Sequence, residues 1–231
     1  MSRSPDLPAG RFSFWLRAMR LALLEEGAAD VPCGNCTACC TTSHFVHVGP
    51  DEVEALAHIP HELQFPAPGL PKGNVLLGYN ENGHCPMLAD GRCSIYEHRP
   101  RTCRTYDCRV FAAAGLAADK DLITRRARRW KFGYPTQDDR DQQASVRAAA
   151  RFLRDRAGCL PGGAVPRDPV LLAVLAVKVC DVFLQPRAEV GETGQPASDQ
   201  EIAEAVVMAN ERFESKCRAR QVPCRKGRMR K

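Results

Sequence analysis

Four cysteines fall within eight residues, Cys33-Gly34-Asn35-Cys36-Thr37-Ala38-Cys39-Cys40, and four more follow as Cys85, Cys93, Cys103 and Cys108. Two thiolates separated by two residues can reach one metal from a single turn, because the backbone between them folds beneath it. Gly34 and Asn35 suit that turn, since both tolerate left-handed backbone. In a reducing compartment such clusters bind metal more often than they pair as disulfides, and a secreted disulfide scaffold is the competing reading. The eight cysteines Cys33, Cys36, Cys39, Cys40, Cys85, Cys93, Cys103 and Cys108 are therefore the expected metal ligands.

Their spacing leaves more than one partition open. Two four-thiolate sites satisfy it, and so does one four-iron cluster with spare thiols. The adjacent Cys39 and Cys40 argue against a simple zinc ribbon, because successive side chains point apart and the two can serve different metals. Cys33-x2-Cys36-x2-Cys39 has the spacing of three ligands in a ferredoxin run, which tips the balance towards an iron–sulfur cluster over zinc or iron ions. The Cys-x3-Cys-x2-Cys spacing of radical S-adenosylmethionine enzymes is absent. A four-thiolate centre carries about two negative charges, which burial makes costly without nearby cations. Arg92, Arg99, Arg101, Arg104 and Arg109 are interleaved with the second cysteine group and are expected to supply them. His44, His47, His84 and His98 are secondary candidates, since eight thiolates already suffice. Cys159, Cys180, Cys217 and Cys224 lack ligand spacing and stay outside the site.

The rest of the chain reads as α+β. A small cysteine-rich metal-binding module with short strands is followed by a mainly α-helical C-terminal part. Four stretches are expected: a leader and amphipathic helix over 1–30, the cysteine domain over 31–109, a helical region over 110–220 and a basic tail over 221–231. Residues 1–9 read as an unstructured leader and 11–26 as a helix. Short strands are expected at 45–48 and 75–77, with a proline- and glycine-rich loop over 60–73 between them. Asp90-Gly91 between short apolar runs predicts a hairpin that brings Cys85 towards Cys93. Helices are expected over 110–116, 119–131 and 138–157. A further helix starts at Asp168-Pro169 and runs to about 184, apolar nearly all round and therefore buried, and another follows the Ser198/Glu201 capping box. Residues 186–197 read as a linker.

The net charge of +6 is unevenly spread: residues 99–131 carry ten basic and three acidic side chains, and residues 212–231 nine and one. Two basic blocks on an acidic body admit a nucleic-acid partner, although Trp130, Phe132 and Tyr134 form the only local aromatic cluster and read as packing a helix end. No apolar run approaches the roughly 20 residues a membrane span needs, and no clean signal peptide opens the chain, so a cytoplasmic protein without a membrane partner is expected.

Order, spacing and flanking residues together resemble a known family. Cys33, Cys36, Cys39 and Cys40 are followed by Cys85-Pro86-Met87-Leu88, by Asp90-Gly91-Arg92-Cys93-Ser94-Ile95-Tyr96, and by Arg99-Pro100 with Cys103-Arg104. This looks like the YkgJ-type cysteine-cluster family, the CxxCxxCC domain, to which zinc or iron chelation is ascribed. The resemblance covers about residues 31–108 and implies metal or iron–sulfur binding without fixing an activity. The domain also resembles part of flagellin lysine N-methylases, which raises a protein-methylating enzyme. No glycine-rich loop follows a strand to hold a methyl donor, however, since Gly158-Cys159-Leu160-Pro161-Gly162-Gly163 follows a helix. Whether the chain is an enzyme stays open, and the helical second half is a further candidate surface for a protein partner.

Overall fold

The structure is a computed structural model and describes residues 5–24, 31, 33–160, 165–184 and 197–221. In chain order these form β1 (Leu7–Arg11), α1 (Phe12–Leu23), β2 (Val46–Val48), α2 (Val53–His58), β3 (Gln64–Pro66), β4 (Val75–Leu77), β5 (Leu88–Ala89), β6 (Arg92–Cys93), α3 (Arg101–Thr105) and α4 (Arg109–Ala114). They continue with α5 (Asp121–Arg129), β7 (Trp130–Gly133), α6 (Gln137–Asp155), α7 (Pro169–Val179) and α8 (Asp199–Gln221). Among the described residues helix outweighs strand, 54% to 12%, and the strands are short, so the class is α+β with a helical C-terminal part. The chain divides into two compact units, one formed by residues 1–5, 29–109 and 118–130, the other by 6–28, 110–117 and 131–231.

The first unit contains an antiparallel sheet in the order β2-β4-β3, with Val46 opposite Leu77 and Gln64 opposite the same residue on the other side. Pro66 has no N–H to give a ladder, and it sits on the edge strand where that costs nothing. The sheet and α2 bury Val46, Val48, Ala55, Ile59 and Leu77 with Met87 and Ile95, and Cys85, Cys93 and Cys103 pack against that cluster. The expected loop over 60–73 is corrected here: it contains a 3-10 turn at His61–Leu63 and then β3. Gln64 explains the turn, since its side-chain amide donates to the carbonyls of Leu56 (2.9 Å) and Ile59 (2.8 Å) at the end of α2.

The second unit is a helical assembly in which α6 packs on α7 and α1. Thr136 and Asp139 form a reciprocal capping box at the start of α6, and Asp168 caps α7 ahead of Pro169. Ser198 and Glu201 make the expected box at α8. Phe12 is fully buried among the rings of Trp15, Phe132 and Tyr134. Residues 7–11 are not part of a leader, because Leu7–Arg11 pairs with β7. The same pairing ends the expected 119–131 helix at Arg129 and turns Trp130 into extended backbone. Helix α7 buries Ala173, Ala176, Val177 and Val179 but leaves Leu171 56% exposed, so it is lined by neighbours on part of its circumference only. The expected linker and basic tail fall, but for Ala197 and Gln221, outside the described residues. Among the described residues no helix is long and apolar enough to cross a membrane.

Candidate metal centre

The first cysteine loop is anchored at its start, Val31, by hydrogen bonds to distant segments of the first unit. Val31 donates its N–H to the Arg104 carbonyl at 2.9 Å, and Arg99 donates through Nη2 to the Val31 carbonyl at 3.2 Å. The chain then turns, with the Cys36 N–H donating to the Cys33 carbonyl at 2.9 Å and Gly34 at φ +52°. That positive φ is open to glycine without a Cβ penalty. The Gly34 N–H donates to the Tyr96 hydroxyl at 3.1 Å. Cys39–Thr41 form a single 3-10 turn, steadied by the hydroxyls of Thr41 and Thr42 on the Thr37 and Ala38 carbonyls.

The second group is delivered by three short devices. The Cys85 N–H donates to the Cys40 carbonyl at 2.7 Å, which ties the second group to the first. A hairpin follows in which Leu88 stands opposite Cys93. Asp90 (φ +49°) and Gly91 (φ +73°) supply the two left-handed residues that a tight two-residue hairpin needs. Helix α3, opened by Pro100, carries Cys103, and Asp107 accepts the Arg109 N–H at 3.0 Å to shape the turn that presents Cys108. Trp130 donates its indole Nε1–H to Cys108 Sγ at 3.4 Å.

All eight sequence-selected cysteines line one cavity of about 210 Å³ in the first unit, and none is in a disulfide. His44, Phe45, Tyr96, Arg99, Thr102, Tyr106, Arg126 and Trp130 are its other polar and aromatic lining residues. Among the described residues no three His, Cys, Asp or Glu side chains are already gathered tightly enough to hold a single ion. The chemistry of the donor set nevertheless fits a soft metal, since eight sulfurs face the cavity and no carboxylate lines it. Burial first, and neighbouring thiolates second, push the Cys40 and Cys103 thiols up to about 12. Cys39 is driven higher still by the same two causes. Burial raises Cys108 to about 11 against the opposing effect of the Trp130 hydrogen bond, and it also raises Cys33 and Cys85. Ionising these sulfurs together therefore needs a cation among them.

The arginines divide sharply. Arg99 is buried, lies 3.9 Å over the Tyr96 ring and faces the cavity, where its charge favours ionised Cys33. Arg126 of α5 does the same, and sequence reasoning missed it because it lies 18 residues beyond the last clustered cysteine. Arg92 and Arg104 are exposed and do not line the cavity, Arg101 pairs with Asp51 at 2.5 Å, and Arg109 pairs with Asp107 at 2.7 Å. Of the secondary histidines, His44 lines the cavity, with Nδ1 2.8 Å from the Thr42 hydroxyl. His47 is engaged with Asn74 at 2.9 Å, and His98 stacks on His58 with ring centroids 3.7 Å apart. His84 does not line the cavity. Cys180 is buried with Sγ on the Val177 carbonyl, Cys159 is half-buried, and the side chains of Cys217 and Cys224 lie outside the described residues.

The cavity is walled by eight thiols from five short segments, a donor set suited to a soft metal. Residues 32–125 match the model of the CxxCxxCC domain, a family described as a putative zinc- or iron-chelating domain. The match spans less than half of the chain and contains every cysteine of the cavity. No curated protein and no solved structure matches the chain.

Proposed function

We propose that this protein binds iron–sulfur chemistry in the cysteine cavity and uses it for electron transfer. The observation that carries the reading is the meeting of Cys33, Cys36 and Cys39, spaced as in a ferredoxin run, with sequence-remote thiols in one cavity. A lone zinc ion lies wholly within its four sulfurs, whereas the cavity here has about 210 Å³ to fill. A bound cluster would supply one-electron chemistry, and its potential responds to hydrogen bonds on sulfur and to burial. The chain's own residues serve those ends. Trp130 donates to Cys108 Sγ, Arg99 and Arg126 offset the negative charge near Cys33, and Val31, Met87, Ile95 and Ile123 keep water from the inner wall.

The test is iron, zinc and acid-labile sulfide content with an absorption spectrum, on protein purified without oxygen. Iron and sulfide in comparable amounts, with broad visible absorption that bleaches on chemical reduction, is the expected result. Zinc without sulfide would remove iron–sulfur binding and electron transfer and leave a structural metal domain. Absence of metal with disulfide-linked cysteines would overturn metal binding altogether.

A further inference from the structure

We infer that the eight thiols form two separate four-thiolate centres, Cys33, Cys36, Cys39 and Cys108 in one and Cys40, Cys85, Cys93 and Cys103 in the other, with the division falling between the adjacent Cys39 and Cys40. This rests on the reading that the cavity holds metal and goes beyond it by assigning each ligand.

The backbone makes the division. Cys39 and Cys40 lie in one 3-10 turn, where successive residues are rotated by roughly 120° because three residues complete a turn. Their sulfurs therefore leave the turn in different directions. On the Cys40 side, the carbonyl of that residue holds the Cys85 N–H at 2.7 Å. Three residues on, the hairpin sets Leu88 opposite Cys93. Cys85, Cys93 and Cys103 all pack on the one apolar cluster that contains Met87 and Ile95. On the other side, Cys33 and Cys36 share a turn closed by a 2.9 Å backbone bond. Cys108 is turned towards Trp130 and does not pack on the apolar cluster that Cys85, Cys93 and Cys103 share.

The first quartet is a Cys-x2-Cys-x2-Cys run completed by a remote cysteine, the arrangement of a ferredoxin ligand set. It also faces Arg99 and Arg126, whose charges act on Cys33. The second quartet is drawn from a turn, a hairpin and a short helix around the apolar cluster.

Native mass spectrometry of protein purified without oxygen, combined with cysteine alkylation mapped by peptide during stepwise chelation, tests the division. The expected result is two centres per chain and alkylation in two steps, each exposing one quartet together. Cys39→Ala with Cys108→Ala should lose one centre, a twofold fall in bound metal, and leave Cys85, Cys93 and Cys103 protected. Cys40→Ala with Cys103→Ala should lose the other centre and leave Cys33 and Cys36 protected. A single centre in the unaltered protein, or alkylation that exposes members of both quartets in one step, would overturn the division while leaving metal binding intact. That readout needs no variant to fold. Protein without metal, alkylated at all eight cysteines from the start, would overturn both the division and the reading beneath it.

Discussion

Glu52 is the residue whose loss should tell most about how the cysteine cavity is held together. Its side chain is 9% exposed and accepts two backbone N–H groups, from Gly49 at 2.8 Å and from Arg101 at 2.5 Å. The second bond crosses 49 residues and fixes the first turn of α3, the helix that carries Cys103. Hydrogen bonds to a charged acceptor contribute about 1.5–3 kcal/mol each, and a buried donor left without a partner costs a similar amount. Glu52→Ala removes both acceptors. Because some water can reach the vacated site, the lower end of the range applies, and the loss should be about 3 kcal/mol, or roughly 100-fold in a local opening constant. Glu52→Gln keeps one acceptor oxygen and should lose about half of that, roughly tenfold. Hydrogen exchange of peptides covering 101–105 reads the opening directly, with peptides from α6 as an internal reference. If Glu52→Ala accelerated exchange of α3 by less than about threefold, the carboxylate would not be what holds the helix, and the account of how Cys103 is positioned would fail.

Trp130→Phe keeps an aromatic ring but removes the indole donor to Cys108. With a cluster bound, the reduction potential should move to more negative values, and a potentiometric titration that shows no shift or a positive one would contradict the role of that hydrogen bond. Asp139 has no exposed side-chain surface; burial alone would raise its carboxyl, yet hydrogen bonds from Ser13, Thr136 and Arg11 hold it well below the usual carboxylate range. Its stabilisation is therefore complete above the unfolded value of about 3.9 and is lost as pH falls below it. Circular-dichroism melts of Asp139→Asn should show lower stability at neutral pH and a smaller change on acidification to pH 3, and an unchanged acid dependence would refute this. Gly83 sits at φ +74°, and an added Cβ would lie 2.4 Å from Ser43 Oγ, so Gly83→Ala should cost about 1–2 kcal/mol by urea denaturation with partial recovery in Ser43→Ala. Chelation should speed hydrogen exchange across 31–109 and leave peptides of α6 and α7 unchanged, and uniform loosening of both units would show that metal is not confined to the first.

The parts of this structure legible in the sequence are those set by neighbours in the chain. Asp90-Gly91 announced the hairpin because two left-handed residues in a row leave few other backbone choices. Asp168-Pro169 and Ser198-Glu201 announced helix starts because a cap is a contact across two or three residues. The cysteine grouping announced the cavity lining because all eight ligand candidates lie in short segments with their own turns. What was not legible depends on distant pairing. Leu7–Arg11 has proline, glycine and no alternation, and it becomes a strand only because β7, more than a hundred residues later, offers an edge. Arg126 and Trp130 read as part of a basic helix and its end, and only the folded chain turns them towards Cys33 and Cys108. Arg101 and Arg109 looked equivalent to Arg99 in sequence, yet each has a carboxylate of its own, which leaves Arg99 and Arg126 as the two whose charge reaches Cys33.

The contrast in packing between the units would give a metal bound in the cysteine cavity a structural role. The second unit buries Phe12, Phe111, Val146, Ala149, Leu153, Ala173, Ala176, Val177, Val179 and Ala203 almost completely, a core that helices with caps can hold without help. The sheet end of the first unit has strands of two or three residues, and its apolar cluster contains seven buried side chains, one of them an alanine. Two- and three-residue strands gain little from their ladders, and small cores of this kind generally depend on disulfides or metal. The three cysteines packed against the cluster come from the chain before β5, from β6 and from α3, so a metal joining them would link the segments that the apolar contacts hold least firmly. Metal-binding free energy becomes folding free energy in such a case. On the proposed division, one quartet would tie the sheet, hairpin and α3 together, while the other, with Trp130 on Cys108 and with Arg99 and Arg126 acting on Cys33, would have charge and hydrogen bonding on its sulfurs.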